Sequence, residues 1–122
     1  PGEVRNVKRF GHAAVGISDG ETEIFSAFDN GGPMWTGSGP RTERRHIRFE
    51  QPFLDAPSVH VALSMWDIAS GANQRADLQA ENISHEGFDL RFTTWGDTRV
   101  ARVRARWMAI GPVLYEEDWL AD

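Results

Sequence analysis

The sequence predicts an all-β protein, an antiparallel sandwich or barrel, and three observations carry that expectation. Apolar and polar residues alternate at every second position over several segments of strand length. Those segments are separated by clusters of Gly, Pro, Asn and Asp. No stretch shows the apolar stripe of an amphipathic helix. At 122 residues, 40% of them hydrophobic, the chain has room for one core and enough apolar surface to fill it.

The elements follow in order. Residues 12–18 and 22–28 flank Asp19-Gly20-Glu21, and Asp-Gly between β-prone runs predicts a hairpin. Residues 29–41, DNGGPMWTGSGPR, form a loop. Residues 46–50 are a short strand closed by Gln51-Pro52. In residues 57–67, Val59, Val61, Leu63 and Met65 share one face, with His60, Ala62, Ser64 and Trp66 on the other. Residues 73–82 place Ala76, Leu78 and Ala80 inward and Arg75, Asp77, Gln79 and Glu81 outward. Residues 87–95 place Phe88, Leu90 and Phe92 inward, with Asp89, Arg91, Thr93 and Trp95 outward. Gly96-Asp97 supplies a turn. Residues 100–110 then set Ala101, Val103, Ala105, Trp107 and Ala109 against Arg102, Arg104 and Arg106. The expected organisation is an N-terminal hairpin and Gly-rich loop over 1–40, a sandwich over 41–113, and an acidic tail over 114–122.

Composition narrows the chemistry. With no cysteine there are no disulfides, no thiolate metal sites and no cysteine nucleophile. The net charge of -5 opposes general nucleic-acid binding, so the row Arg102, Arg104, Arg106 is expected to be balanced by Asp77, Glu81 and Asp89 across the sheet. No apolar run approaches the roughly 18 residues of a membrane-spanning helix, and no membrane insertion is expected. The first ten residues contain no apolar signal-like segment. The mean hydropathy of -0.46 fits a soluble protein with a thin, two-layer core. The histidines His12, His46, His60 and His85 lack metal-ligand spacing, and no metal or other cofactor is expected. There is no nucleophile elbow or phosphate loop, and no pair of acids stands out for hydrolysis, Asp67 with Asp97 included. Asn82-Ile83-Ser84 is an N-glycosylation triplet, relevant only in a secreted eukaryotic chain.

One outward aromatic is informative. Trp95 lies just before a turn, on a face shared with Asp89, Arg91 and Thr93. A sugar ring has an apolar face that an indole can cover and a rim of hydroxyls that polar neighbours can bond. Packing under the Gly-rich loop or in an oligomer contact is the competing role. Arg75 can give two hydrogen bonds to adjacent hydroxyls through its planar fork; its competing role is a surface pair with Asp77, Asp89 or Glu81. Asn73 could orient Arg75, bond a hydroxyl, or cap a turn. Trp66, Trp35 and Met34 are expected to pack, with the capping of a ligand groove as the alternative for Trp35 in its Gly-rich loop.

The second half of the chain resembles the H-type lectin domain, of the snail agglutinin and discoidin C-terminal type, and is read as a bacterial member. The resemblance runs through Ile47-x-Phe49, Pro52-Phe53, Pro57-x-Val59, Leu63-Ser64, Asp67, Asn73-x-Arg75, Gly87-Phe88, Thr94-Trp95, Thr98 and Trp107, without a gap from Arg45 to Gly111. It implies a six-stranded antiparallel β-sandwich, with the N-terminal hairpin as an extension, assembling as a homotrimer that can stack into a hexamer. It also implies a non-catalytic site for galactose or N-acetylgalactosamine in a groove between protomers. Trp95 and Gly96 would line that groove, with Arg75 supplied by the adjoining protomer. The family's aspartate falls on Ser38, in the loop Thr36-Gly37-Ser38-Gly39, so the acid is missing or displaced, with Asp29 and Asp97 as substitutes. Asp67, part of the pattern, would hold the loop that follows it. The expected role is glycan recognition or adhesion. The rival is a structural module of a phage-like particle or surface assembly that has lost sugar binding; an enzyme comes third.

Overall fold

A computed structural model of the chain describes residues 2–4, 6–28 and 30–115. Asp29, and the acidic tail beyond Tyr115 with Trp119, lie outside the described residues.

Period-two alternation builds both layers. In β6 (Val100–Val113), Ala101, Val103, Ala105, Trp107 and Ala109 are buried and Arg102, Arg104 and Arg106 exposed. In β5 (Gly87–Thr94), Phe88, Leu90 and Phe92 are fully buried, and Thr94 takes the next inward position. Each of these strands is the centre of a three-stranded antiparallel sheet. One sheet has the order β1 (Ala14–Ser26), β6, β3 (Ser58–Ile68); the other has β2 (Arg41–Arg48), β5, β4 (Asp77–Glu81). Their inner faces meet in an aromatic core, where Phe88 packs edge to face on Trp107 at 5.4 Å between centroids. Phe49 packs on Phe53 at 5.0 Å, and Phe25 on Phe92 at 5.5 Å. No helix among the described residues is long and apolar enough to cross a membrane.

The N-terminal hairpin does not form. β1 is one continuous strand, antiparallel to β6 from Ala14 opposite Val113 to Ser26 opposite Arg102. Gly20 sits opposite Trp107 because of close approach rather than turning: a Cβ there would lie 2.9 Å from the indole ring. Pairing with the long central strand satisfies the backbone on both sides of Asp19-Gly20, which outweighs the local turn preference. β1 is thus one of the six strands of the sandwich, not an extension to it.

Three smaller differences concern edge strands. β2 begins at Arg41, five residues before the expected start, since it pairs with β5 from Arg41 opposite Thr94 onward. Its alternation was hidden by a polar residue, Arg45, whose guanidinium bonds the carbonyls of Glu23 and Ile24 at the irregularity in β1. β4 is limited to Asp77–Glu81, so Ala76 is exposed and Arg75 precedes the strand. In β3 the alternation runs through Trp66 despite a register shift between Leu63 and Met65, so Trp66, expected to pack, faces outward and is 56% exposed.

Candidate carbohydrate-binding site

The turn between β5 and β6, residues 95–99, anchors one end of the sandwich, and two distant segments are tied to it. The first is the Gly-rich loop, which contains a single helical turn, α1 (Pro33–Thr36), with Met34 buried beneath it. The N–H of Gly39 donates to the carbonyl of Gly96 at 2.9 Å. Arg41 then staples loop to turn by five hydrogen bonds to carbonyl oxygens, those of Pro33, Met34, Gly39, Gly96 and Thr98, at 2.7–3.4 Å. Burial draws its guanidinium below the ordinary arginine pKa. Arg99 adds a second link, donating to the Trp35 carbonyl at 2.9 Å and lying 4.6 Å over the indole.

The second segment is residues 73–75, clamped by two buried hydroxyls. Thr98 donates to the Asn73 carbonyl at 2.5 Å and accepts from the Arg75 N–H at 3.1 Å. Thr94 donates to the Arg75 carbonyl at 2.6 Å. So held, the Arg75 side chain passes beside Gly96, where a Cβ would meet Nη1 at 3.1 Å. Gly96 also has φ of +70°, a conformation that glycine adopts without strain. The guanidinium donates through Nη1 to Asp97 Oδ1 at 3.1 Å. Trp95, the next residue back along the turn, is 41% exposed.

All six residues singled out from the sequence therefore converge on one end of the molecule. Trp95 and Gly96 stand in the turn, Arg75 lies beside it, and Asn73 is bonded to it through its carbonyl. Gly37 and the exposed Ser38 are in the loop whose Gly39 is bonded to Gly96. Arg75 meets Gly96 and Asp97 within one chain, so a neighbouring protomer is not needed to bring it to the turn. Asp97, one of the two acids considered in place of the family aspartate, is its partner. Asp77, Glu81 and Asp89, the expected partners, are occupied elsewhere: Arg91 reaches Asp77 and Glu81, and His46 bonds Asp89 at 2.7 Å. Nor do those acids balance the arginine row, because they belong to the other sheet. Arg102 pairs with Asp67, and Arg104 and Arg106 share Glu21. Asp67 thus bonds across the sheet rather than holding its following loop.

The fasteners are Arg41, which sequence reasoning passed over, and Thr94 and Thr98, which it placed in the lectin pattern without a role. Thr94 continues the inward parity of Phe88, Leu90 and Phe92, which is a legible sign of a hydroxyl needing a buried partner. Arg41 has no such signal, since its partners are backbone atoms of any sequence. Chemically, the turn offers a forked donor and a carboxylate acceptor, and an exposed aromatic residue next to them in sequence, groups suited to hydroxyl pairs on a ring with an apolar face.

The H-type lectin domain model matches residues 44–110, more than half of the chain. The chain belongs to the H-type lectin domain family. Among its relatives is the "ATP synthase subunits region ORF 7" protein of Fuscovulum blasticum, 53% identical over 107 residues, covering 88% of this chain and 93% of that one. Discoidin-2 of Dictyostelium discoideum is 36% identical over 76 residues, 62% of this H-type lectin chain and 30% of discoidin-2. The solved structure of recombinant discoidin II from the same organism superposes with a TM-score of 0.72 at 29% identity, covering 88% of this chain and 40% of that one. The lectin chain thus spans less than half the length of the discoidins it matches. The 88% overlap exceeds what residues 44–122 alone supply, so the likeness reaches into the N-terminal part that carries β1.

Proposed function

We propose that this H-type lectin binds sugars of the galactose and N-acetylgalactosamine type at the β5–β6 end of the sandwich, without chemistry, for glycan recognition or adhesion. The observation that carries the reading is the Arg75–Asp97 pair held at Gly96, in the turn that begins with the exposed Trp95. The indole would cover the apolar face of the sugar. Arg75 would donate to one hydroxyl and Asp97 accept from its neighbour, in place of the acid absent at Ser38. Gly96 leaves the space the Arg75 side chain needs, while Gly37, Ser38 and Asn73 would form the rim. Affinity at one such groove is weak, because each sugar hydrogen bond replaces one to water.

Several grooves on one particle recover affinity by avidity, and a homotrimer, able to stack into a hexamer, supplies them. An exposed apolar band on the outer face of the β1-β6-β3 sheet supports self-association. Val15, Ile17 (66% exposed) and Met108 lie there, with Ile17 opposite Ile110 and Val15 opposite Pro112.

The test is a glycan array followed by titration calorimetry on single variants. Trp95→Ala is expected to lose about 1–3 kcal/mol of sugar affinity, the scale of one large apolar contact. Arg75→Ala is expected to lose about 1.5–3 kcal/mol, the scale of hydrogen bonds from a charged group. If both variants bind as the parent does, the site is misplaced. An array with no bound glycan would leave the fold as an assembly module.

A further inference from the structure

A second groove is lined by none of the residues of the Trp95 turn, and its lining has the same kind of chemistry. It encloses about 330 Å³ between Ser26, Phe28, Trp35, Asp67, Ala101 and Arg102, at the small end of the roughly 300–1,000 Å³ of small-molecule sites. Its floor is a single cross-strand row. Ser26 of β1 and Asp67 of β3 both stand opposite Arg102 of β6, so register alone sets the three side by side on the outer face of that sheet. Its wall is aromatic. The ring of Phe28 is 60% exposed, and its backbone N–H is tied to the Ala101 carbonyl at 3.2 Å. Trp35 meets Phe28 edge to face at 5.3 Å and is fixed from behind by Arg99.

The floor presents a donor and an acceptor as a pair. Arg102 Nε donates to Asp67 Oδ2 at 3.3 Å, and both side chains remain more than half exposed. Such a pair is close to neutral overall, which disfavours an anionic ligand. It offers N–H groups and a carboxylate at the separation of neighbouring hydroxyls on a ring. An apolar wall beside it accepts the C–H face of the same ring. The row comes from three strands and the wall is held by its own contacts, so little ordering is required on binding.

From this geometry we infer that the Phe28–Trp35–Asp67–Arg102 groove is a second saccharide site, taking a neutral pyranose through a vicinal hydroxyl pair. The choice of a saccharide rests on the carbohydrate-binding reading above; the groove and its donor–acceptor pair do not. With the Trp95 turn and this groove at the same end of the sandwich, one chain offers two contacts to a branched or clustered glycan.

Indole N–H resonances report the two places separately. Each is assigned by Trp→Phe replacement in the full chain, then followed in nitrogen-correlated NMR spectra during titration with methyl β-galactopyranoside, methyl N-acetylgalactosaminide and lactose. The expected result is a saturable shift of Trp35 with at least one of the three, persisting in Trp95→Ala. That shift is expected to vanish in Arg102→Met and Phe28→Ala while the Trp95 response is retained. Both substitutions are at exposed side chains, and an unchanged thermal midpoint verifies the fold. A Trp95 shift with a silent Trp35 overturns the second groove and leaves the first site standing. A Trp35 shift that survives Arg102→Met also overturns it, as an indirect effect. A Trp35 shift with a silent Trp95 upholds the groove and overturns the Trp95 site; silence of both overturns both.

Discussion

Trp95 and Trp107 show how one residue type takes opposite roles according to strand parity. Trp107 faces inward on β6, beneath Gly20 and against Phe49 and Phe88 at 6.0 and 5.4 Å. Trp95 follows the last inward position of β5 and stands in the solvent at the turn. Trp107→Ala is therefore expected to cost about 3–5 kcal/mol of stability, as other large-to-small core changes do. Trp95→Ala is expected to leave the denaturation midpoint nearly unchanged while removing sugar affinity. Urea titrations of both variants check the contrast, and an equal loss of stability in both would place Trp95 in the core.

Among the elements, the segment 73–75 depends on hydroxyls rather than on a ladder. Thr98→Val keeps the shape but leaves the Asn73 carbonyl and the Arg75 N–H without their partner. Leaving buried polar groups unpaired costs about 1–3 kcal/mol, and sugar affinity is expected to fall too, since Arg75 loses its station. Calorimetry of folding and of binding on the same variant measures both. The outer face of the β2-β5-β4 sheet gives a pH signature instead. Asp89 accepts from Asn82 at 3.0 Å and from His46 at 2.7 Å, and these bonds, the Asn82 one first, hold its carboxyl below the ordinary carboxylate range. A carboxyl whose folded pKa is depressed adds stability above its unfolded pKa, and that stability is lost as pH falls through the folded value. Asp89→Asn is thus expected to flatten the acid limb of a stability–pH profile, with the smallest effect on that slope at neutral pH. A profile that stays parallel to the parent's as pH falls from the ordinary carboxylate range to the depressed folded value would remove Asp89 from that role.

At the scale of the whole molecule, the proposed trimer needs a surface through which one sandwich meets another. A closed symmetric assembly needs a self-complementary or ring-closing surface, and the apolar band of Val15, Ile17 and Met108 is exposed on the outer face of the β1-β6-β3 sheet. Ile17→Lys sets a charge in that band and is expected to convert a trimer to monomers, read by sedimentation velocity. A parent chain already monomeric at micromolar concentration would rule out the trimer. Because Arg75 meets the turn of its own chain, Trp95→Ala and Arg75→Ala each damage the same site. Co-refolding the two variants is expected to restore no high-affinity binding, whereas recovery would place the two residues in facing protomers.

What the sequence determined by itself is the sheet character, the facing of its central strands and the identity of the lectin-type motif residues. Parity along residues 87–95 and 100–110 decides burial almost residue by residue, because a pleated strand alternates its side chains whatever lies around it. Thr94 was readable on the same rule. The tertiary structure decided the rest. Asp19-Gly20 turns the chain in isolation, yet against β6 the glycine is where a strand passes under Trp107, a contact between residues 87 positions apart. Arg41 and Arg99 close the site through backbone carbonyls, which no side-chain pattern encodes. The partner of Arg75 is likewise the acid that the Thr94 and Thr98 hydroxyls bring within reach, not the nearest acid along the strand. Local alternation is a property of one strand, whereas ion pairs and staples depend on which strands become neighbours, and only folding supplies that.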